Sequence, residues 1–230
     1  MNITDTPSPN FGPRRDGLKP ELVVVHYTAM ETSQAALQRL CAPEHEVSAH
    51  YLITRSGAIH RMVAEDQRAW HAGAGAWGGR GDVNSRSIGI ELTNRGVEPF
   101  AARQMDSLEA LLAGILGRWD IPARGVIGHA CMAPGRKADP GPRFDWQRLA
   151  RKGLAVWPEV GVGGQGASAD SAALAEGFAE AAATFGYPRS SDTLDAFRQR
   201  FRPWARGRVL DEWDVALARA LAARHPASSA

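Results

Sequence analysis

The segment VVVHYT, residues 23–28, is an apolar run that ends on a histidine, His26. Far downstream, VIGHACMAPGRKADPG, residues 126–141, has a second histidine at a strand end, His129, followed by Lys137 and Asp139 beside a Pro-Gly turn. Two imidazoles and one carboxylate leave a metal's fourth position free, which is the ligand count of a catalytic zinc site rather than a structural one. Cys131 is a rival ligand, since it shares a face with His129 if the strand continues and thiolate binds zinc well. Asp139 is preferred because a turn at Pro134-Gly135 can return it toward the strand end. Neither Cys41 nor Cys131 belongs to a C-x-x-C pair, so a cysteine zinc site is excluded.

An acyl-transfer centre also needs a base and a stabiliser of negative charge. In SIGIEL, residues 87–92, Ile88, Ile90 and Leu92 fall on one face and Gly89 and Glu91 on the other. A partly desolvated Glu91 would have its pKa raised toward working pH and suit a general base. Lys137 points the same way as Asp139 if that segment is extended. A cation beside a metal is repelled by it, and its chemical use there is to hold a developing oxyanion. His50 and His71 flank the expected cleft. His71 lies in a glycine-rich loop, residues 68–84, with Trp70 and Trp77, which either stack on sugar faces or anchor the loop itself. His45, His60 and His225 have no such context and are expected at the surface.

These residues need a scaffold. The pattern predicts an irregular arm over 1–20, a strand at 22–27 and a short helix at 32–41 capped by Thr32 or Ser33. A hairpin follows at 50–63, then strand 87–92, a helix at 104–119 with Leu108, Leu111, Leu112, Ile115 and Leu116 on one stripe, and a last core strand at 126–130. That order implies an α/β fold, a mixed central β-sheet flanked by helices. Residues 158–168, PEVGVGGQGAS, read as a linker. Three helical segments follow, 169–185, 191–202 and 211–224, the last capped by Asp211, with Leu194, Phe197, Phe201, Trp213, Leu217 and Leu221 as a small shared core. The expected organisation is therefore 1–157, a linker at 158–168 and a three-helix C-terminal domain at 169–230.

A net charge of +2 with no basic run argues against a nucleic-acid partner. The most basic stretch, RFRPWARGR at 200–208, reads as a solvated helix end. No window has the length of a membrane span, and the polar, proline-rich N-terminus carries no signal-peptide pattern. The expected compartment is the cytoplasm, with the cell envelope as the alternative.

The segments VVVHYTAM, VSAHYLITRSGAIHRMV, RAWHAGAGAW, NSRSIGIEL and VIGHACMAPGRKADPGPRFDW, with their spacing, resemble the zinc-dependent N-acetylmuramoyl-L-alanine amidases of the amidase-2 type, which share the fold of peptidoglycan recognition proteins. The likeness covers roughly residues 11–157. The helical tail is more weakly similar to the subgroup with a C-terminal peptidoglycan-binding-like domain. The resemblance implies zinc held by His26, His129 and Asp139, Glu91 as catalytic base, Lys137 steadying the transition state and Arg136 contacting substrate carboxylates. His50, Trp70, His71 and Asn84 are expected with Arg136 at the substrate. The implied reaction is hydrolysis of the amide between N-acetylmuramic acid and L-alanine, in peptidoglycan or in anhydro-muropeptides. The alternative is a non-catalytic peptidoglycan receptor of the same fold, which tends to lack a complete ligand set. One departure is visible: Ala130-Cys131 stands where the family usually has a small and then an acidic residue.

Overall fold

The computed structural model describes residues 2–160 and 170–227. Most of the expected linker, residues 161–168, lies outside the described residues, as does residue 169. The strands are β1 (Ile3–Asp5), β2 (Phe11–Pro13), β3 (Leu22–Tyr27), β4 (Tyr51–Ile53), β5 (Ile59–Arg61), β6 (Gln67–Ala69), β7 (Ser87–Leu92) and β8 (Val126–Gly128). Six form a mixed sheet in the order β1-β5-β4-β7-β3-β8, and β2 pairs with β6 in a separate antiparallel ribbon. The centre, β4-β7-β3-β8, is parallel throughout. Parallel strands are covered on both faces, which is why LVVVHY is apolar almost without interruption.

The two faces differ in chemistry. On one, Val23, Val25, Ile88, Ile90 and Leu92 pack against Leu108, Leu111, Leu112 and Ile115 of α3 (Ala102–Trp119). On the other, Leu52 packs with Ala36 and Leu40 of α1 (Ser33–Cys41), whose N-cap Thr32 accepts from the Ala35 amide. Further along that face, Leu22, Val24 and Ile127 share an apolar cluster with Phe178, Ala182 and Phe185 of α6 (Ser171–Phe185) and Phe197 and Phe201 of α7 (Thr193–Phe201). The tail thus packs on the sheet beside the polar residues of that face. Trp77 is its anchor, meeting Phe185 and Tyr187 edge-on with centroids 5.5 and 5.1 Å away.

Several local expectations change. The N-terminal arm is not irregular: β1 and β2 lie in it, and buried Ser8 and Asn10 donate to the carbonyls of Leu40, Ala42 and Val47. Those partners are distant in sequence, so no local pattern announces them. The loop at 68–84 includes β6 and the start of a helical turn, α2 (Val83–Arg86). The strand expected at 126–130 stops at Gly128, and His129 opens α4 (His129–Met132). The returning segment ends the ladder, because Ala130 donates its amide to Asp139 O at 2.8 Å. Cys131 therefore leaves the strand face it was expected to share with His129 and is buried under Tyr187, whose hydroxyl is 3.3 Å from its sulfur.

In the tail, Trp213 is 47% exposed rather than in the core. It lies in the first turn of α8 (Glu212–Arg224), a helix that buries Asp214, Val215, Ala218 and Leu221 instead. Nor is the basic stretch wholly solvated: Arg200 is buried with its guanidinium carbon 4.2 Å from the Trp146 ring centre, the first residue of α5 (Trp146–Arg151). Among the described residues no helix is long and apolar enough to cross a membrane.

Candidate metal centre and active site

The parallel register builds the site. His26 and Glu91 are Cα partners on β3 and β7, so their side chains rise from the same sheet face next to one another. Gly128 pairs with Val25, which sets His129 beside His26 just beyond the ladder. A turn through Gly135, at φ +75°, reverses the chain and brings Asp139 back. His26 Nδ1 and His129 Nδ1 lie 2.8 and 3.1 Å from the same Asp139 oxygen, Oδ2. All three residues are buried, and one donor atom from each falls within 4.8 Å of the others.

The chemistry of these donors fits a metal. His129 Nε2 is 2.8 Å from the Ala72 carbonyl, which can only accept, so Nε2 donates there and Nδ1 is the nitrogen turned toward Asp139. A ligating histidine commonly donates its other N–H to such an acceptor. Burial, with His129 nearby, lowers the His26 pKa to about 4, so its ring is neutral at working pH. The adjacent histidines hold Asp139 ionised well below the usual carboxylate range despite its burial. Cys131 takes no part, being turned toward the tail.

Glu91 faces the cluster. Its Oε2 is sealed from solvent and has no hydrogen-bond partner among the described residues. Burial, and then the negative charge of Asp139, push its pKa up to about 8, with Lys137 opposing. Lys137, Arg136, Trp70 and His71 line the same cleft of about 380 Å³, a size suited to a small ligand. Arg136 also donates to the carbonyls of Ala72 and Ala74 and so holds the loop that carries His71. Two residues expected at the substrate instead support that loop and strand. Asn84 accepts from the amides of His71 and Ala72 at 3.0 and 2.8 Å. His50 lies beneath the cleft, taking the Gly89 amide on Nδ1 and facing the Gln67 carbonyl with Nε2. Neither lines the cleft. No sequence motif marks Ser87, which occupies the Gly89–Glu91 face, or Tyr27 and Arg39 at the rim.

These shifts give the metal-free protein a defined pH response. Burial lowers the pKa of His50 to about 3, that of His26 to about 4, and that of His71 well below its usual value. Each therefore binds fewer protons folded than unfolded below pH 6.5, and stability falls as pH falls through that range. Glu91 acts oppositely: with a folded pKa of about 8 it destabilises as pH rises from about 4.5 to 8. Stability of the metal-free form is expected to peak near pH 6.5, each unbalanced proton contributing roughly 1.4 kcal/mol per pH unit. Urea unfolding at a series of pH values checks this. A midpoint that rises steadily from pH 6.5 to 8 would contradict the assignment of Glu91.

Comparison with known proteins agrees with this geometry. Residues 16–142 match the N-acetylmuramoyl-L-alanine amidase (Amidase_2) family. The amidase AmiD of Escherichia coli is 34% identical, the alignment covering 87% of this chain and 82% of AmiD. The 1,6-anhydro-N-acetylmuramyl-L-alanine amidase AmpD of Enterobacter cloacae is 35% identical over 65% of this chain and 89% of its own. Among solved structures, E. coli AmiD in complex with anhydro-N-acetylmuramic acid-L-Ala-D-γ-Glu-L-Lys superposes with a TM-score of 0.77 and 33% identity, covering 90% of each chain. AmpDh3 of Pseudomonas aeruginosa also gives 0.77, at 30% identity over 93% of this chain and 95% of its own. The chain belongs to the N-acetylmuramoyl-L-alanine amidase family. It is an amide hydrolase, an N-acetylmuramoyl-L-alanine amidase.

Proposed function

We propose that this chain cleaves the amide between the lactyl group of N-acetylmuramic acid and L-alanine in anhydro-muropeptides, with zinc held by His26, His129 and Asp139. The observation that carries the reading is the unpartnered, buried carboxylate oxygen of Glu91 facing three convergent donor atoms in an open cleft. When bound, zinc supplies Lewis acidity that polarises the scissile carbonyl and lowers the pKa of water to about 7. Glu91 takes the proton of the attacking water and delivers it to the leaving amine of L-alanine. Lys137 offers its ammonium to the oxygen that becomes negative as the carbonyl carbon turns tetrahedral. Trp70 and His71 form the cleft wall against the substrate, and Arg136 presents positive charge to stem-peptide carboxylates. A complete donor set with a raised-pKa carboxylate beside it favours this hydrolase over a receptor, which needs neither.

Residues 169–230 are proposed as a peptidoglycan-binding-like helical domain after the linker, one that packs on the sheet rather than standing apart from it. What supports that is a pair of tryptophans outside the reaction cleft, Trp204 and Trp213, 67% and 47% exposed. Trp204→Ala with Trp213→Ala is the direct test, read as co-sedimentation of the full chain with insoluble peptidoglycan.

Mass spectrometry after incubation with purified anhydro-muropeptide tests the reaction. Free stem peptide is expected with zinc-loaded protein, none after chelation, and release again when zinc is returned. Intact substrate alongside stoichiometrically bound zinc would overturn the hydrolase reading.

A further inference from the structure

Arg136, Lys137 and Ala138 line the reaction cleft. The same three residues also line a second groove, of about 200 Å³, whose other wall is α7 of the tail with Asp192, Asp195 and Gln199. Tail and turn are in close contact there: a Cβ on Gly135 would overlap Asp192 Oδ2.

Two acceptors on the α7 wall are not used by the fold. Asp192 precedes α7 but makes no side-chain bond to cap it, and the glycine at 135 leaves room for its carboxylate beside the turn. Gln199 is 7% exposed, and its Oε1 has no hydrogen-bond partner among the described residues. Its amide nitrogen faces Asp195 Oδ2 at 3.4 Å, so the oxygen is turned the other way. An acceptor buried this deeply is costly unless a donor comes to it. Asp195 is already answered by Arg206, both of its oxygens lying 2.8 Å from guanidinium nitrogens.

The opposite wall carries the reverse charge. Arg136 and Lys137 repel a bare cation, and Asp192 repels a bare anion. A group with an ammonium and a carboxylate on one carbon satisfies both walls: N–H donors for Asp192 and Gln199, a carboxylate for Arg136. A stem peptide can bring such a group here. Its third residue lies roughly 10 Å from the scissile amide, at about 3.3–3.6 Å per residue. Gly135 is four residues from Asp139, at most roughly 14 Å of chain.

We propose that Asp192 and Gln199 of the tail are specificity-determining residues, forming with Arg136 a subsite for a third stem residue whose side chain ends in an amino-acid group. The proposal rests on the hydrolase reading above. It gives the tail a part in choosing the substrate, separate from that of its exposed tryptophans.

The test uses the full, zinc-loaded chain and its Asp192→Asn and Gln199→Met variants. Three anhydro-muropeptides are compared, with stems ending at D-Glu, at L-lysine and at 2,6-diaminopimelate. These offer the groove nothing, an ammonium alone, and an ammonium with a carboxylate. Expected is the lowest KM for the diaminopimelate stem, and a rise of roughly 5–20-fold in that KM in either variant, the effect of a partly exposed hydrogen bond to a charged group. The rise should come in KM and not in kcat, since the groove grips ground and transition states alike, and it should be absent for the stem ending at D-Glu. Equal KM shifts for all three stems, or none for any, overturn the subsite and leave α7 as a support for the turn. Calorimetric titration with the free tripeptide L-Ala-D-Glu-diaminopimelate reads the groove without catalysis. Tripeptide binding weakened by Asp192→Asn, with every anhydro-muropeptide left intact, overturns the hydrolase reading alone. Cleavage with tripeptide affinity untouched by Asp192→Asn overturns the subsite alone.

Discussion

Glu91→Gln is expected to reduce turnover by roughly 100–10,000-fold, the range over which a positioned general base acts, while zinc affinity stays within a few-fold. The side chain keeps its size and its seat on β7 opposite His26, so substrate and metal find the same walls. What disappears is proton affinity. Glu91 Oε2 makes no hydrogen bond in the folded protein, and its pKa of about 8 comes from burial and from Asp139. A carboxylate with no partner at rest can meet an incoming water without first breaking a bond. An amide oxygen can meet the same water but cannot take its proton. Stem-peptide release should fall in kcat with KM nearly unchanged, since a base acts in the transition state and not in binding. Chelator competition on the same sample supplies the control: activity and zinc lost together would make Glu91 a structural support of the cluster, and full activity would remove it from the mechanism.

The largest stability effect is expected far from the cleft, at Asp214→Ala. Arg198 and Asp214 form a fully buried ion pair, their side chains 1% and 0% exposed. Arg198 also donates to the carbonyls of Ala205, Arg208 and Val209 and so holds the turn between α7 and α8. Asp214 accepts from the Asp211 amide while Asp211 accepts from Asp214, a reciprocal cap on α8. Removing the carboxylate leaves a guanidinium charge without its counter-ion and the Asp211 amide without its half of the reciprocal cap, while Asp211 still caps α8. Breaking such a pair costs about 3–5 kcal/mol, and at this chain length each kcal/mol moves the melting temperature by roughly 2–4 °C. Thermal unfolding of the zinc-loaded form checks the size. Activity at low temperature should persist, because neither residue lines the cleft. A shift under a degree would mean that the tail unfolds independently of the transition being followed.

Much of the site was written in local pattern. An apolar parallel strand must be buried on both faces, so a histidine at its end has to emerge at the sheet's C-terminal edge, and His26 gained meaning once His129, Asp139 and Glu91 were set beside it. The alternation in SIGIEL separated Glu91 from the core, and the Pro134-Gly135 turn pointed Asp139 back toward His129. The helices at 33–41, 102–119 and 171–185 follow from apolar period and caps, which are local as well. Hydrogen-bond partners distant in the chain could not be read this way. Serine at 87 looks like any strand serine until the fold sets His71 against it and Val83 behind it. His50 and Asn84 were of the right type for substrate contacts, but what each holds is backbone, Gly89 in one case and His71 and Ala72 in the other. Burial of the Arg198 guanidinium depends on a carboxylate sixteen residues away and on three carbonyls of the intervening turn, none of which a local pattern marks. The sequence alone determined which residues could carry the chemistry, since residue type and strand or turn period are local properties. Only the tertiary structure decided which of them meet, which way each proton points and which charges are buried, since those depend on pairings across the chain.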